Sequence, residues 1–219
     1  MSNPEFVPHG GLFDPGRTPA EAAAAFCNIM AGRRSVRMFS DAPVAHEAIE
    51  QLVRCATTAP SGANKQPWRF ICVSNPTVKR EIREGAEVEE REFYEQRAGE
   101  RWLDDLAPLG TDADKAYLET VPWLVVVMKQ VRGEADSLVY YPDESVGIAV
   151  GLFLAAAQMA GLATLVHTPS PMKFLGTLLG RPANERPFVL IPVGYPAEDC
   201  VVPAEALRRR PLDETMLVV

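Results

Sequence analysis

Arg33-Arg34-Ser35-Val36-Arg37-Met38-Phe39-Ser40, and further on Ala59-Pro60-Ser61-Gly62-Ala63-Asn64-Lys65-Gln66-Pro67-Trp68-Arg69-Phe70, are the two stretches on which the reading of this chain turns. The first sets Arg33, Arg34 and Arg37 beside Ser35, directly behind an alanine-rich run. Forked guanidinium donors and a hydroxyl suit a phosphate dianion, with a bidentate geometry that lysine lacks. Taken alone, the cluster has a plainer explanation, because arginines near a helix end usually decorate the surface. The second stretch opens with a helix stop, since Pro60 disfavours helix at Ala59 and Gly62 permits a tight turn. It runs into Trp68–Val73, aromatic and β-branched, which predicts a strand.

Working outward, the 219 residues are 47% hydrophobic and 23% charged, an ordinary globular composition. Helices are predicted over 20–32, over Val44–Ala56 with Ile49, Leu52, Val53 and Ala56 on one face, from Asn75-Pro76, near 144–160 and over Met172–Leu179. Further strands are expected at Trp123–Met128, Ala163–Val166 and Phe188–Val193. With no repeat and no linker, one domain mixing helices and strands fits residues 1–219, with an extended arm over 1–18. A net charge of −7 and a pI near 5.1 argue against a nucleic-acid partner. The cysteines at 27, 55, 72 and 200 form no C-x-x-C pair, and three have apolar neighbours. They read as small buried hydrophobes in a reducing compartment, and the three histidines lack ligand spacing, so no metal is expected.

Val146–Leu165 is free of charge and long enough to span a membrane. Its Gly and Ala content, Gln158 and the helix stop at Gly161 favour a buried central helix. Gly147 and Gly151 on that helix allow close approach, either to a helix of the same chain or to a second copy. Lys79–Asp105 is more than half charged, with Glu87/Arg91 and Arg91/Glu95 at i, i+4, which predicts an exposed helix. Its few apolar anchors make 79–115 a candidate lid.

There is no G-x-G-x-x-G, no Walker loop and no G-x-S-x-G elbow. The two opening stretches together resemble the nitroreductase flavoprotein family, in which the first binds the FMN phosphate and the second lines the flavin edge. Within that family the chain is most similar to the iodotyrosine deiodinases. The likeness lies in Pro60-Ser61-Gly62-Ala63, the acidic stretch ending Glu89-Glu90 before Tyr94, Gly99-x-Arg101-Trp102, Lys115, Thr168-Pro169, Pro192–Pro196 and Arg210–Asp213.

The resemblance implies an α+β, FMN-dependent nitroreductase fold: a central mixed sheet flanked by helices, in an intertwined homodimer with FMN at the interface. It assigns FMN to Arg33, Arg34, Ser35, Arg37, Pro60, Ser61, Gly62, Val166, His167, Thr168 and Arg209, the last with a register open by one. It assigns the substrate to Ala63, Glu90, Tyr94 and Lys115. Glu90 and Tyr94 stand at i, i+4, so one face presents a carboxylate and a phenol. Glu90 would take the ammonium of a halotyrosine, Lys115 and Tyr94 its carboxylate, and the Ala63 amide its phenolate. Full pairing of those charges would order the lid on binding. Without the resemblance, Glu90 and Lys115 would pass as surface charges. Thr168 is the expected catalytic residue, its hydroxyl donating to flavin N5 and favouring one-electron steps.

The chain departs from the pattern at Val166 and His167, which stand where hydroxyl residues are expected. These act through backbone, with His167 either tuning the flavin or simply packing. Animal relatives carry a membrane anchor, and its absence here leads to the expectation of a cytoplasmic, bacterial-type protein without membrane contact. The expected function is reductive dehalogenation of halotyrosines or related halophenols, with NAD(P)H or a reductase as electron source. The alternatives are a general nitroreductase or quinone reductase of the same fold, and a flavin-binding module without turnover.

Overall fold

The computed structural model describes residues 4–133 and 137–219. Met1–Gly32 and Arg33–Val219 are two separate compact units. In the first, residues 4–18 lack helix and strand, leaving Phe6, Val7, Leu12 and Phe13 exposed; the first three residues of the predicted arm lie outside the described residues. α1 (Pro19–Ala31) starts where it does because Thr18 and Glu21 cap each other reciprocally. The Glu21 amide donates to the Thr18 hydroxyl, and the Thr18 amide donates to the Glu21 carboxylate.

The second unit is organised on β1 (Trp68–Val73), β2 (Trp123–Gln130), β3 (Ala163–Thr164) and β4 (Glu185–Gly194), in the order β1-β2-β4-β3. The expected mixed sheet is corrected here, for all the ladders between these strands are antiparallel. The parallel component is a single isolated bridge from Ser35 to Thr164. It forms because residues 33–40 lie as an extended strap along the sheet edge. The Val36 amide donates to the Thr164 carbonyl, and the Ser40 amide to the Tyr195 carbonyl. Val36 and Phe39 are buried and fasten the strap, leaving Ser35 and Arg37 only half-buried.

Leu124, Val126 and Met128 of β2 belong to one core cluster and Val125 and Val127 to the other. An interior strand with both faces covered reads as an unbroken apolar run, and all five are fully buried. α2 (His46–Ala56) and α6 (Pro142–Met159) share the core with Val125 and Val127. α3 (Pro76–Glu92), α5 (Tyr117–Thr120) and α7 (Lys173–Leu178) cover the other face through Ile82, Ala86, Leu118 and Leu175. α7 seats closely on α3 at Gly85, where a Cβ would stand 2.5 Å from the Phe174 ring. The buried Lys79 ammonium donates to the carbonyls of Glu119 and Val121, tying the base of α3 to the end of α5.

α6 carries most of the charge-free run, and no helix of the described residues is long and apolar enough to cross a membrane. Its apolar character serves the sheet, through Val146, Ala149, Val150, Phe153 and Ala157. Gly147 and Gly151 are exposed and would have nothing within 4 Å of an added Cβ, so among the described residues of the second unit they seat no helix.

Two expectations need correcting. The charged run is not one helix to Asp105: α3 passes into a wide turn at Phe93–Arg97, breaks at Ala98-Gly99, and α4 (Glu100–Leu106) begins afresh. The cysteines are free but not fully buried, Cys27 being exposed and the others half-buried.

Candidate active site

A cavity of about 550 Å³ gathers residues that the sequence scatters. The strap contributes Arg37, α3 and the wide turn contribute Glu90, Phe93 and Tyr94, and Lys115 comes from the loop before α5. Val166, His167 and Thr168 enter from the segment after β3. Trp102 and Leu106 of α4 supply an apolar wall, with the Trp102 ring edge-on to Phe93 at 4.9 Å. Between Ala86 and Lys115 no residue is fully buried, which fits the sparse anchors of the predicted lid.

Within the cavity the three expected substrate residues answer one another. Lys115 Nζ stands 3.4 Å from Glu90 Oε2, both side chains being nearly buried, and it also donates to the Asp112 carbonyl. The Tyr94 hydroxyl is 2.8 Å from the Thr111 hydroxyl, and Lys115 Nζ lies 6.0 Å from the Tyr94 ring centre. Burial raises the Glu90 carboxyl above its ordinary range, against the pull of Lys115. Burial likewise raises the Tyr94 phenol.

Sequence reasoning missed Thr111, Glu87 and Tyr117. Glu87 Oε1 accepts the Lys115 amide at 3.0 Å while Arg83 holds it at 2.7 Å, so the lysine loop hangs from α3. The i, i+4 spacing of Arg83 and Glu87 is visible in the sequence, but their loop partner is not. Tyr117 turns its ring edge toward His167, 6.3 Å between centres.

The sequence leads to the expectation that His167 acts through backbone, with its ring tuning the flavin or simply packing. Its amide donates to the Leu190 carbonyl and its carbonyl accepts the Leu190 amide, so the main chain is already engaged. The imidazole faces the cavity, with Nε2 3.7 Å from Glu90 Oε1. Burial, reinforced by Lys115 and Arg37, pushes the imidazole down to about 3. The unfolded imidazole titrates near its ordinary value of about 6.5 and therefore takes up a proton that the folded one refuses. His167 thus makes stability climb between about pH 3 and 6.5 and level off above. His167→Phe is expected to flatten that climb. Urea denaturation at several pH values across the window checks it, and an unchanged slope would rule the effect out.

Thr168 is exposed at the cavity, and among the described residues its hydroxyl has no hydrogen-bond partner. Ser35 and Arg37 also line a smaller cavity of about 340 Å³, with Gly110 and Val202. Close by in the sequence, Arg33 is half-buried, and its guanidinium is driven below its ordinary value by burial, then by the charges of Arg209 and Arg34. Arg208 is paired with Glu205, so Arg209 is the tail arginine whose charge bears on Arg33. Arg33 forms no ion pair among the described residues. A half-buried guanidinium without an ion pair, close to the charges of Arg34 and Arg209, fits a phosphate dianion.

The Ser61–Gln66 loop does not line the large cavity. It packs on the start of α6: the Gly62 amide lies 3.4 Å from the Ser145 hydroxyl, and a Cβ at Gly62 would stand 2.7 Å from the Tyr140 carbonyl oxygen. Ala63, Asn64 and Gln66 all hold positive φ, a conformation costly for non-glycine residues and concentrated at functional sites. The amides of Gly62, Asn64, Lys65 and Gln66 are engaged within the chain, whereas that of Ala63 has no partner among the described residues. Among the described residues the twisted loop therefore leaves the Ala63 N–H unengaged, as it does that of Ser61.

Comparison with known proteins places this arrangement. The chain is 49% identical over 205 residues to an iodotyrosine deiodinase of Haliscomenobacter hydrossis, covering 91% of this chain and 92% of that protein. It is 42% identical over 224 residues to human iodotyrosine deiodinase 1, covering 99% of this chain and 76% of the human protein. The fold is similar to a crystal structure of oxidized iodotyrosine deiodinase bound to FMN and 3-iodo-L-tyrosine, with a TM-score of 0.73 and 30% identity over 89% of this chain and 97% of that one. The nitroreductase family model matches residues 30–195, a span that takes in the strap, residues 79–115 and the four described strands of the sheet. The chain belongs to the nitroreductase family.

Proposed function

We infer that this protein is an FMN-dependent reductive dehalogenase of halotyrosines. The observation that carries the inference is the convergence of Glu90, Tyr94 and Lys115 in one cavity with Arg37 and Thr168. A zwitterion needs one anionic and one cationic partner at close quarters, and Glu90 and Lys115 supply both. On binding, their mutual contact gives way to contacts with the substrate ammonium and carboxylate, and Tyr94 exchanges Thr111 for that carboxylate. Burial makes each of these charge-assisted bonds stronger than it would be in water.

FMN fits the residues present: the uncompensated guanidinium of Arg33, with Arg34 and Arg209 beside it, suits its phosphate. Ser35 and Arg37 carry the strap toward the substrate cavity, and Pro60, Ser61 and Gly62 shape the loop at the flavin edge. When bound, reduced FMN would supply the two electrons that, with one proton, convert a carbon–halogen bond to a carbon–hydrogen bond as halide leaves. Thr168 would offer its uncommitted hydroxyl to the flavin. The Ala63 amide holds the phenolate, which the ortho-halogen makes easy to form. Residues 79–115 close over the site as a lid, excluding water.

Because the Ala63 loop lies outside this cavity, we place it in the site of a second copy. The exposed face of α6 with Gly147, Ile148 and Gly151 supports such a homodimer. Apart from the arm at 1–18, residues 1–219 act as a single FMN-binding domain. NAD(P)H or a partner reductase reloads the flavin in the cytoplasm.

Anaerobic reoxidation of the dithionite-reduced holoprotein tests the function. Mono-iodotyrosine is expected to reoxidise it with release of iodide. Reoxidation by a nitroaromatic alone would make the protein a general nitroreductase, and by neither a flavin carrier. In the same assay Thr168→Ala is expected to slow dehalogenation by about a hundredfold, the scale of losing one placed donor at a reacting centre. Nitroreduction by that variant should persist, and an equal fall in both activities with FMN retained would remove Thr168 from its role.

A further inference from the structure

His167 is a polar group of the cavity that the proposed function leaves without a task. Its side chain is nine-tenths buried, and Nε2 has no hydrogen-bond partner among the described residues. Buried polar atoms are nearly always paired, so an orphan aimed into a cavity calls for an occupant. Hydrogen bonds in both directions with Leu190 pin the His167 backbone to β4, and burial of the side chain leaves the ring little room to turn elsewhere.

What surrounds the ring identifies the occupant. Glu90 Oε1 faces Nε2 at 3.7 Å, beyond hydrogen-bond reach. Lys115 is already engaged by Glu90 Oε2 and the Asp112 carbonyl. Burial, then the charges of Lys115 and Arg37, oppose a third positive charge on the imidazole, and Tyr117 packs T-shaped with it. A neutral imidazole keeps one acceptor nitrogen. With the ring proton on Nδ1, Nε2 is that acceptor, and it and a carboxylate oxygen, face to face and unbridged, want a group with several N–H donors between them. The α-ammonium of an amino acid is such a group.

We propose that His167 is a substrate-binding residue whose Nε2 accepts a hydrogen bond from the substrate ammonium beside Glu90, so that the site reads a primary amine with two acceptors. The proposal rests on the halotyrosine reading and adds a specificity to it. The amino acid is favoured over a halophenol of the same ring and carboxylate.

The test uses the oxidised FMN holoprotein and quenching of flavin fluorescence. The ligands are 3-iodo-L-tyrosine and its des-amino analogue, 3-(3-iodo-4-hydroxyphenyl)propionate. In His167→Leu and His167→Phe the preference for the amino acid, taken as a ratio of Kd values, is expected to fall by about tenfold, the scale of one charge-assisted hydrogen bond. His167→Gln, which keeps an acceptor, is expected to recover part of it. A ratio equal to that of the wild type, or equal weakening of both ligands, overturns the proposal and leaves His167 a packing residue. A wild-type holoprotein that binds no iodotyrosine would instead overturn the halotyrosine reading beneath it. Should the variants lose flavin, the 15N shift of His167 Nε2 in the wild type decides. It is expected to move on adding iodotyrosine and not the analogue, and an unmoved shift overturns the proposal.

Discussion

Glu90→Gln is expected to weaken halotyrosine binding to the oxidised holoprotein by about a hundredfold, within the range for truncating one member of a buried charge pair. The substitution keeps shape and removes charge, so the substrate ammonium would enter a nearly buried site with no anion to meet it. Lys115→Met should cost a similar factor through the substrate carboxylate. The two losses are not expected to add. Glu90 and Lys115 hold each other at 3.4 Å in the free chain, so each single variant also strands the other's charge. A double-mutant cycle on Kd therefore predicts that Glu90→Gln with Lys115→Met loses less than the product of the single effects. The des-amino analogue should be nearly indifferent to Glu90→Gln yet remain sensitive to Lys115→Met. If both ligands responded alike to both variants, the division of labour between the carboxylate and the ammonium would be wrong. The raised Glu90 carboxyl adds a pH dependence: halotyrosine affinity should decline as pH falls through that raised value, because only the ionised form binds.

Arg33→Ala is expected to raise the Kd for FMN by about thirtyfold, the scale of losing one charged, forked hydrogen-bond donor to a phosphate. Arg33→Lys should recover little, since an ammonium cannot reproduce the fork. The same variant carries an opposite prediction for the flavin-free protein. Arg33 is desolvated and repelled by Arg209 and Arg34, so removing it relieves strain, and the apoprotein should melt no lower than the wild type. FMN titration by fluorescence and thermal unfolding with and without flavin measure both. Arg209→Ala should behave similarly and Arg208→Ala should not, because Arg208 is occupied by Glu205. An apoprotein destabilised by Arg33→Ala with unchanged FMN affinity would make the cluster a structural device instead.

Much of the fold is legible in the chain. Thr18 with Glu21, Asn75 before Pro76, and the apolar run into Met128 mark element starts and interior strands by short-range physics: a cap, a fixed φ, a strand buried on both faces. The length of β4 was not legible. It begins at Glu185, a charged residue that periodicity excludes from a strand, and which is buried because Arg181 and Arg69 neutralise it. The break at Ala98-Gly99 was likewise hidden among i, i+4 charge pairs that favour an unbroken helix.

The residue types for the chemistry were set by the sequence alone. Three guanidinium groups with a hydroxyl suit an anion, and Glu90 with Tyr94 at helical spacing present a carboxylate and a phenol on one face, though only the resemblance tells either from surface charge. Tertiary structure alone decided what those groups meet. It put Lys115 against Glu90, hung the Lys115 loop on Glu87, turned His167 into the cavity, brought the charge of Arg209 to bear on Arg33, and kept the Ala63 loop out of the same cavity. The division has a physical cause. Caps, turns and periodicity act over a few residues and are written locally. Contacts between α3, the loop before α5 and the segment after β3 exist only because one antiparallel sheet, packed on both faces, brings its borders together.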